Sequence, residues 1–295
     1  MPEKQTIAFV GLGSMGLPMA TNLVKAGYAV HGFDTRPEAM DTLAAAGGIR
    51  AETLTAACQG ADALILMVVN AAQARTVLIE AGALAALPSG AHVCLMATCQ
   101  PDAVAALESE VSAGGKQLID CPVSGGVVGA KSATLTIMVG APQENFETVA
   151  PILRAMGDKL YHCGPKVGHG AIVKAINQLL CGVHLAAAAE ALALGDKAGV
   201  DLSKLLEIVS GSAASSWMLK DRGPRMLMET PPVTSAVDIF VKDLGIVLSA
   251  GRSAGMGLPL AAAAHQMFLA ESGSGNGLAD DSQVIAGYRR LNGIA

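Results

Sequence analysis

Ile7-Ala8-Phe9-Val10-Gly11-Leu12-Gly13-Ser14-Met15-Gly16 carries a β-branched and aromatic run straight into Gly-x-Gly-x-x-Gly. The pattern predicts a buried strand, a tight turn and a helix whose N-terminus holds a dinucleotide pyrophosphate. In that reading Gly11 turns the chain sharply, Gly13 leaves room for the phosphates and Gly16 lets the next helix lie close to the sheet. Leu12, Ser14 and Met15 complete the expected cofactor loop, whose free backbone N–H groups face the phosphates. A bare Gly-x-Gly-x-x-Gly is equally compatible with a simple turn, so the surrounding residues decide.

Pro18 to Val24 continue with helix-forming residues, Gly27 stops the helix, and Tyr28 to Phe33 reads as a second strand ending at Asp34. This is one β-α-β unit. Asp34 lies 23 residues after Gly11, where the fold places an acid that accepts hydrogen bonds from an adenosine ribose. A carboxylate there repels a 2′-phosphate and favours NAD over NADP, while Arg36, beyond Thr35, partly offsets the repulsion. The alternative role for Asp34 is to cap the helix that begins near Pro37.

The chain has 295 residues, 52% of them hydrophobic, which is enough for two domains with substantial cores. With only one Trp, three Tyr and five Phe, those cores must be built from Ala, Leu, Val and Met. A net charge of −5 without a basic tract gives no general attraction for nucleic acid or an anionic membrane, so the expected ligand is a small molecule. Cys58, Cys94, Cys99, Cys121, Cys163 and Cys181 lack Cys-x-x-Cys spacing and read as buried free thiols. No His or Cys spacing suggests a metal, and no Ser/His/Asp triad is evident. The opening apolar run leads directly into the glycine turn, so no cleavable signal is expected and the chain reads as cytoplasmic.

Further short apolar runs at Leu64–Val69, His92–Met96, Gln117–Asp120 and Thr134–Val139, with Ala-rich segments between most of them, predict an open α/β sheet of the doubly wound Rossmann type. Strand signals stop near Cys163-Gly164-Pro165. Ala171–Ala198, without Pro, reads as one long interdomain helix, and breaks at Gly211, Pro224, Pro231-Pro232, Gly255–Pro259 and Gly273–Gly277 divide the remainder into shorter helices. The expected domains are residues 1–165, binding NAD, and residues 166–295, the long helix with an all-α substrate and oligomerisation domain. Ligands in open α/β sheets bind beyond the carboxyl ends of the strands. Beside the glycine turn, that rule selects Val69 and Asn70, Thr98, and the Ser124-Gly125-Gly126 loop.

Four segments in order along the chain resemble the β-hydroxyacid dehydrogenase family, which includes 3-hydroxyisobutyrate dehydrogenases. They are Gly11 to Leu23, Asp120-Cys121-Pro122-Val123-Ser124-Gly125-Gly126 with its continuation to Thr136, Gly168 to Asn177, and Phe240-Val241-Lys242-Asp243-Leu244-Gly245. Val68 to Gln73, Asn177 to His184, Ser216-Trp217-Met218 and Ser235 to Phe240 are similar to the L-threonate dehydrogenase branch. Three features depart from the family pattern: Lys131-Ser132-Ala133-Thr134 lacks a Gly before the Thr, Met96-Ala97-Thr98-Cys99-Gln100-Pro101 replaces a more Ser-rich segment, and Gln178 stands where several members have a second Asn.

The resemblance implies NAD-dependent oxidation of a small sugar acid, L-threonate at C2 in the first instance. Lys174 would be the general acid/base and Asn177 would position substrate and lysine. A lysine serves as base only when burial or neighbouring cations lower its pKa towards neutrality. Helical spacing puts Lys174, Asn177, Gln178, Cys181, His184 and Leu185 in one broad stripe, so Gln178 and His184 are further substrate candidates. Ser124, Gly125 and Gly126 can offer a hydroxyl and backbone N–H groups to a carboxylate. Lys242 matches the family lysine near the cofactor, its alternative being an ion pair with Asp243 or Asp238, and Trp217 either lines the cleft or packs a helix. Rivals in the same class are a tartronate semialdehyde reductase and a 3-hydroxyisobutyrate dehydrogenase; in other classes, a non-catalytic dinucleotide-binding sensor and an imine reductase, the latter disfavoured by Lys174. A homo-oligomer, dimer or tetramer, is expected.

Overall fold

The computed structural model describes residues 5–294. Strands β1 (Thr6–Val10), β2 (Ala29–Phe33), β3 (Ile49–Arg50), β4 (Ala63–Leu66), β5 (His92–Leu95), β6 (Gln117–Asp120), β7 (Val123–Ser124), β8 (Thr136–Gly140) and β9 (Lys159–Gly164) make one sheet. Helices α1 (Gly16–Lys25), α2 (Pro37–Ala45), α3 (Leu54–Cys58), α4 (Ala71–Arg75), α5 (Ala83–Ala86), α6 (Pro101–Ala113), α7 (Gly126–Ser132) and α8 (Gln143–Arg154) lie between them.

The first six strands run parallel in the order β3-β2-β1-β4-β5-β6, the arrangement of dinucleotide-binding folds. Alternate residues of the central strands feed opposite faces. Ile7, Phe9 and Ile65 join Met19 and Leu23 of α1 and Leu43 of α2 on one face. Ala8, Leu64 and Leu66 join Cys58 of α3 and Val104, Leu107 and Val111 of α6 on the other. With both faces covered, a strand has no reason to alternate polar and apolar residues, so β4 reads Ala-Leu-Ile-Leu and is buried throughout.

Past β6 the sheet changes character. Asp120 faces Gly140, and Val123 and Ser124 face Ile137 and Thr136 in the same antiparallel register. β6 and β7 are therefore one strand path kinked at Pro122, whose carbonyl accepts the Met138 N–H at 3.0 Å. β9 then adds parallel to β8. The expected Rossmann sheet is present with an antiparallel end the sequence did not announce.

The chain divides by packing into two compact units, the first ending at Lys174 and the second beginning at Ala175. The division falls inside helix α9 (His169–Lys197) rather than at 165, because the first turn of α9 is packed on the strands and Ala171 belongs to the core of the first unit. The second unit comprises the rest of α9 with α10 (Leu202–Gly211), α11 (Trp217–Met226), α12 (Val237–Ser253), α13 (Pro259–Glu271) and α14 (Val284–Leu291). Its core gathers Leu185, Ala189 and Leu192 of α9 around Phe240, Leu244 and Phe268, with the two Phe rings stacked at 5.0 Å. By length and composition α9 could cross a membrane, yet these residues bury it as a core helix. Pro224 does not break the second unit's helices as expected: it sits inside α11, near its C-terminal end and on the exposed side. Gly182 matters most for position, since a Cβ there would lie 2.8 Å from Leu244, so its absence lets α12 approach α9 closely.

Candidate active site

In the first unit the selected residues gather at the carboxyl ends of the parallel strands. Gly11 follows β1 with φ +94°, and a Cβ there would sit 2.4 Å from the Met67 carbonyl oxygen. At Gly16 a Cβ would fall 1.8 Å from the Gly11 carbonyl oxygen, so the helix start packs against the turn itself as well as against Phe9 of β1. Gly13 is different: only Arg36 Nη2, at 3.8 Å, comes near a Cβ there, which leaves that side open. No side chain caps α1 and no acid lies in its first turn. An open glycine face beside uncapped N–H groups fits a dinucleotide pyrophosphate. Ser14 is exposed and Met15 half-buried, whereas Leu12 is buried in the core, leaving only its backbone at the loop.

That backbone is already engaged. Leu12 N–H donates to Asp34 Oδ2 at 2.7 Å, and Arg36 donates to Oδ1 from its backbone N at 2.9 Å and from Nε at 3.0 Å. Burial pushes the Asp34 carboxyl up, but the Arg36 and Leu12 hydrogen bonds outweigh it and hold the pKa below the usual value. Asp34 is not the cap of α2; Arg36 occupies that position, without a side-chain cap. Thr35 is exposed beside them.

Asn70 caps α4 by accepting the Gln73 N–H at 2.9 Å, and the Val69 N–H donates to Gln73 Oε1 at 3.0 Å, leaving the Val69 side chain exposed. Thr98 follows β5, half-buried. Ser124 ends β7, and Gly125 and Gly126 have φ +127° and +61°, a conformation in which side chains are strained. The loop therefore presents backbone with little side-chain cover.

Sequence reasoning passed over Asp120 as a working residue. Its side chain is buried; Oδ2 accepts N–H bonds from Gly168 at 3.1 Å and Ala171 at 2.7 Å, and Oδ1 has no hydrogen-bond partner among the described residues. Burial raises its pKa to about 7 against the opposing pull of the backbone N–H groups. The signal was a lone acid closing the otherwise apolar Leu118-Ile119. Gly170 completes the seat, for a Cβ there would lie 2.4 Å from the Met138 carbonyl oxygen. The start of α9 is thus fixed to β6 and β8.

Along α9, Lys174 is 6% exposed and Gln178 8%, with Asn177 half-buried between them. His184 departs from the expected stripe: it is exposed, because it lies roughly 80° round the helix from Lys174, past the edge of the buried face. Asn177 Nδ2 donates to Gln178 Oε1 at 2.9 Å and contacts Cys181 Sγ at 3.5 Å, and Gln178 Nε2 donates to Asp243 Oδ2 at 2.5 Å. Lys242 Nζ lies 3.0 Å from Asp243 Oδ1, the ion pair that was its alternative reading. Asp243, 3% exposed, enters the sequence reading only as an ion-pair partner of Lys242, and its contact with Gln178 is not anticipated there. Trp217 is 62% exposed and packs no helix core; the Arg222 guanidinium lies 5.8 Å from its ring centre. All six cysteines are free, Cys163 and Cys181 half-buried and the other four buried. Among the described residues no cluster of His, Cys, Asp or Glu could hold a metal.

Residues 6–164 match the NAD binding domain of 6-phosphogluconate dehydrogenase, and residues 168–288 match the NAD-binding domain of NADP-dependent 3-hydroxyisobutyrate dehydrogenase. L-threonate dehydrogenase of Cupriavidus necator is 44% identical over 282 residues, 95% of each chain. The crystal structure of a 3-hydroxyisobutyrate dehydrogenase from Salmonella typhimurium aligns with a TM-score of 0.90 at 37% identity, covering 96% of this chain and 99% of that one. A Mycobacterium tuberculosis 3-hydroxyisobutyrate dehydrogenase solved with L-serine aligns at 0.85 and 31% identity, covering 97% and 100%. With the strand order, the glycine turn and these matches across both units, the chain belongs to the 3-hydroxyisobutyrate dehydrogenase-like family of NAD-dependent hydroxyacid dehydrogenases.

Proposed function

We propose that this dehydrogenase oxidises L-threonate at C2 to the 2-oxo acid, with Lys174 as general acid/base. The observation that carries the reading is the polar run of buried Lys174 and Gln178 with half-buried Asn177 on α9, in a chain 38–44% identical to three L-threonate dehydrogenases over nearly its whole length. Bound NAD supplies the hydride acceptor. The residues around it do the rest: Lys174 Nζ takes the proton of the substrate hydroxyl, and Asn177, one turn along the same helix, orients that hydroxyl. Gln178 adds a polar group suited to a polyhydroxylated acid, and Ser124, Gly125 and Gly126 bind the carboxylate. Asp120, by holding the first turn of α9, keeps Lys174 fixed relative to the sheet.

Gly11, Gly13, Gly16, Ser14 and Met15 form the pyrophosphate cradle, and Asn70, Val69 and Thr98 line the continuation of the cofactor site at the next strand ends. Asp34, held charged by Arg36 and Leu12, favours NAD over NADP. Exposed apolar side chains on the second unit's helices, among them Leu194, Ile208 and Leu260, suit a homo-oligomer. A 3-hydroxyisobutyrate or tartronate semialdehyde activity is the second reading, favoured by the fold match to 3-hydroxyisobutyrate dehydrogenases.

The test is NADH formation by purified protein offered L-threonate, D-threonate, D-glycerate and 3-hydroxyisobutyrate, alongside Lys174→Ala. L-threonate is expected to be the best substrate and the variant inactive. Preference for another acid moves the assignment to a sister enzyme, and NAD binding without any turnover supports the sensor.

A further inference from the structure

We propose that Asp243 is a positioning residue: it sets the polarity of the Gln178–Asn177 amide chain so that Asn177 turns its carbonyl oxygen, not its NH2, to the reacting hydroxyl. The inference deepens the dehydrogenase reading and rests on its placing of Asn177 at the substrate.

An ionised carboxylate only accepts hydrogen bonds, whereas an amide has a donor end and an acceptor end. Asp243 Oδ2 takes the hydrogen bond of Gln178 Nε2 at 2.5 Å, and both side chains are buried, so the donor end of Gln178 is fixed towards Asp243. Its acceptor end, Oε1, is then directed to Asn177 and takes a hydrogen bond from Nδ2 at 2.9 Å. The Asn177 NH2 also faces Cys181 Sγ at 3.5 Å, so its donors are spent within α9. What Asn177 has left for an incoming group is Oδ1, an acceptor. That is the polarity needed beside an alcohol O–H, and again beside the Lys174 ammonium once the proton has moved. Gly182 makes the chain possible, because α12 reaches Gln178 only where α9 lacks a Cβ against Leu244. Lys242 Nζ lies 3.0 Å from the other oxygen, Asp243 Oδ1, an ion pair that favours the carboxylate's present orientation without a formed hydrogen bond.

Asp243→Asn tests this directly. Lys242 keeps the carbonyl of the new amide, whose NH2 then meets Gln178. Gln178 must rotate to offer Oε1, and Asn177 rotates in turn to present NH2 where the carbonyl stood. Turnover of L-threonate is expected to fall about tenfold or more in kcat, with the NAD dissociation constant and the thermal midpoint close to wild type. Adding Gln178→Glu moves the acceptor-only group one link along the chain. It accepts from both neighbours and returns Asn177 to its original polarity, so the double variant is expected to recover at least about fivefold in kcat over Asp243→Asn. Loss of packing alone would not be repaired by that exchange. Wild-type kcat in Asp243→Asn, or a folded double variant no better than the single one, overturns the proposal. Should Asp243→Asn not fold, hydrogen exchange at the Asn177 side-chain amide of the wild-type protein decides: protection is expected, and exchange as fast as a free amide overturns it. The outcomes separate from those of the activity itself. Full turnover in Lys174→Ala and Asn177→Ala removes the dehydrogenase assignment of these residues. Inactive Lys174→Ala and Asn177→Ala beside a fully active Asp243→Asn removes this inference alone.

Discussion

Asp120 Oδ2 accepts the Ala171 N–H at 2.7 Å, so a carboxyl at the end of a buried strand grips the first turn of the helix that carries Lys174. Burial has lifted this group from 3.8 to about 7. Between those values the native state holds a proton that the unfolded chain has released, and stability therefore falls as pH rises from about 4 to about 7. The full loss, present above pH 7, is about 4 kcal/mol. Asp120→Asn, which does not ionise, should flatten this slope. Urea unfolding at pH 5.5 and pH 8 checks it; an equal drop in wild type and variant would rule out Asp120 as the source.

Two glycines of the opening motif should fail in different ways. Gly16→Ala drives a Cβ against the Gly11 carbonyl oxygen at 1.8 Å, backbone against backbone, and is expected to cost about 2–3 kcal/mol or more in unfolding free energy. Gly13→Ala meets only Arg36 Nη2 at 3.8 Å, so stability should stay within about 0.5 kcal/mol. Yet it places a methyl on the open side proposed to receive the pyrophosphate, and NAD affinity is expected to fall at least about tenfold. Calorimetric NAD titration beside urea unfolding separates the two, and a destabilised Gly13→Ala with unchanged NAD affinity would contradict the assignment.

Asp34 holds Arg36 through paired contacts at 3.0 and 3.3 Å, so the guanidinium is engaged by a carboxylate and a negative charge stands where the dinucleotide reading expects the ribose hydroxyls. Asp34→Asn retains an acceptor for the Leu12 N–H but removes the charge and loosens Arg36. The ratio of kcat/KM for NADP to that for NAD should rise about tenfold or more. No change in that ratio would place cofactor choice elsewhere.

What the sequence revealed follows from how locally each feature is encoded. β1, β4 and β5 are buried on both faces, and continuous apolar runs announce them; α9 announces itself by length and composition. β3 and β7 are only two residues long, and β9 carries polar and half-exposed residues, so neither length nor pattern marks them. Pro224 was misread as a break because its missing N–H falls where Lys220, the residue one turn earlier, is exposed and water can satisfy the carbonyl. Asp120 and Asp243 work through partners 48 and 65 residues away, and no spacing rule reaches that far. The exposure of His184 and Trp217 likewise depends on which elements cover them, not on their neighbours in sequence.

The second unit rests on a buried charge cluster that the sequence also hid. Arg222 reaches Asp281 at 2.9 Å and Arg225 reaches Asp280 at 3.0 Å, with both aspartates fully enclosed. Asp280 also accepts the Thr234 N–H at 2.9 Å and the Ser282 N–H at 3.2 Å, which ties the loop before α12 to the segment before α14. Burial pushes Asp280 up, but those hydrogen bonds and Arg225 outweigh it and hold its pKa below the usual value, whereas burial dominates at Asp281 and raises it. Removing one cation leaves an enclosed carboxylate without its counter-charge, a penalty larger than the net worth of the pair. Arg225→Ala is therefore expected to destabilise by about 3–5 kcal/mol, and Arg225→Lys, which restores charge without the planar fork, by less. Trp217→Ala, on the exposed side of Arg222, should stay within about 1 kcal/mol. Urea unfolding of the three variants tests the ranking; an Arg225→Ala protein as stable as wild type would mean that water, rather than the arginine, balances Asp280.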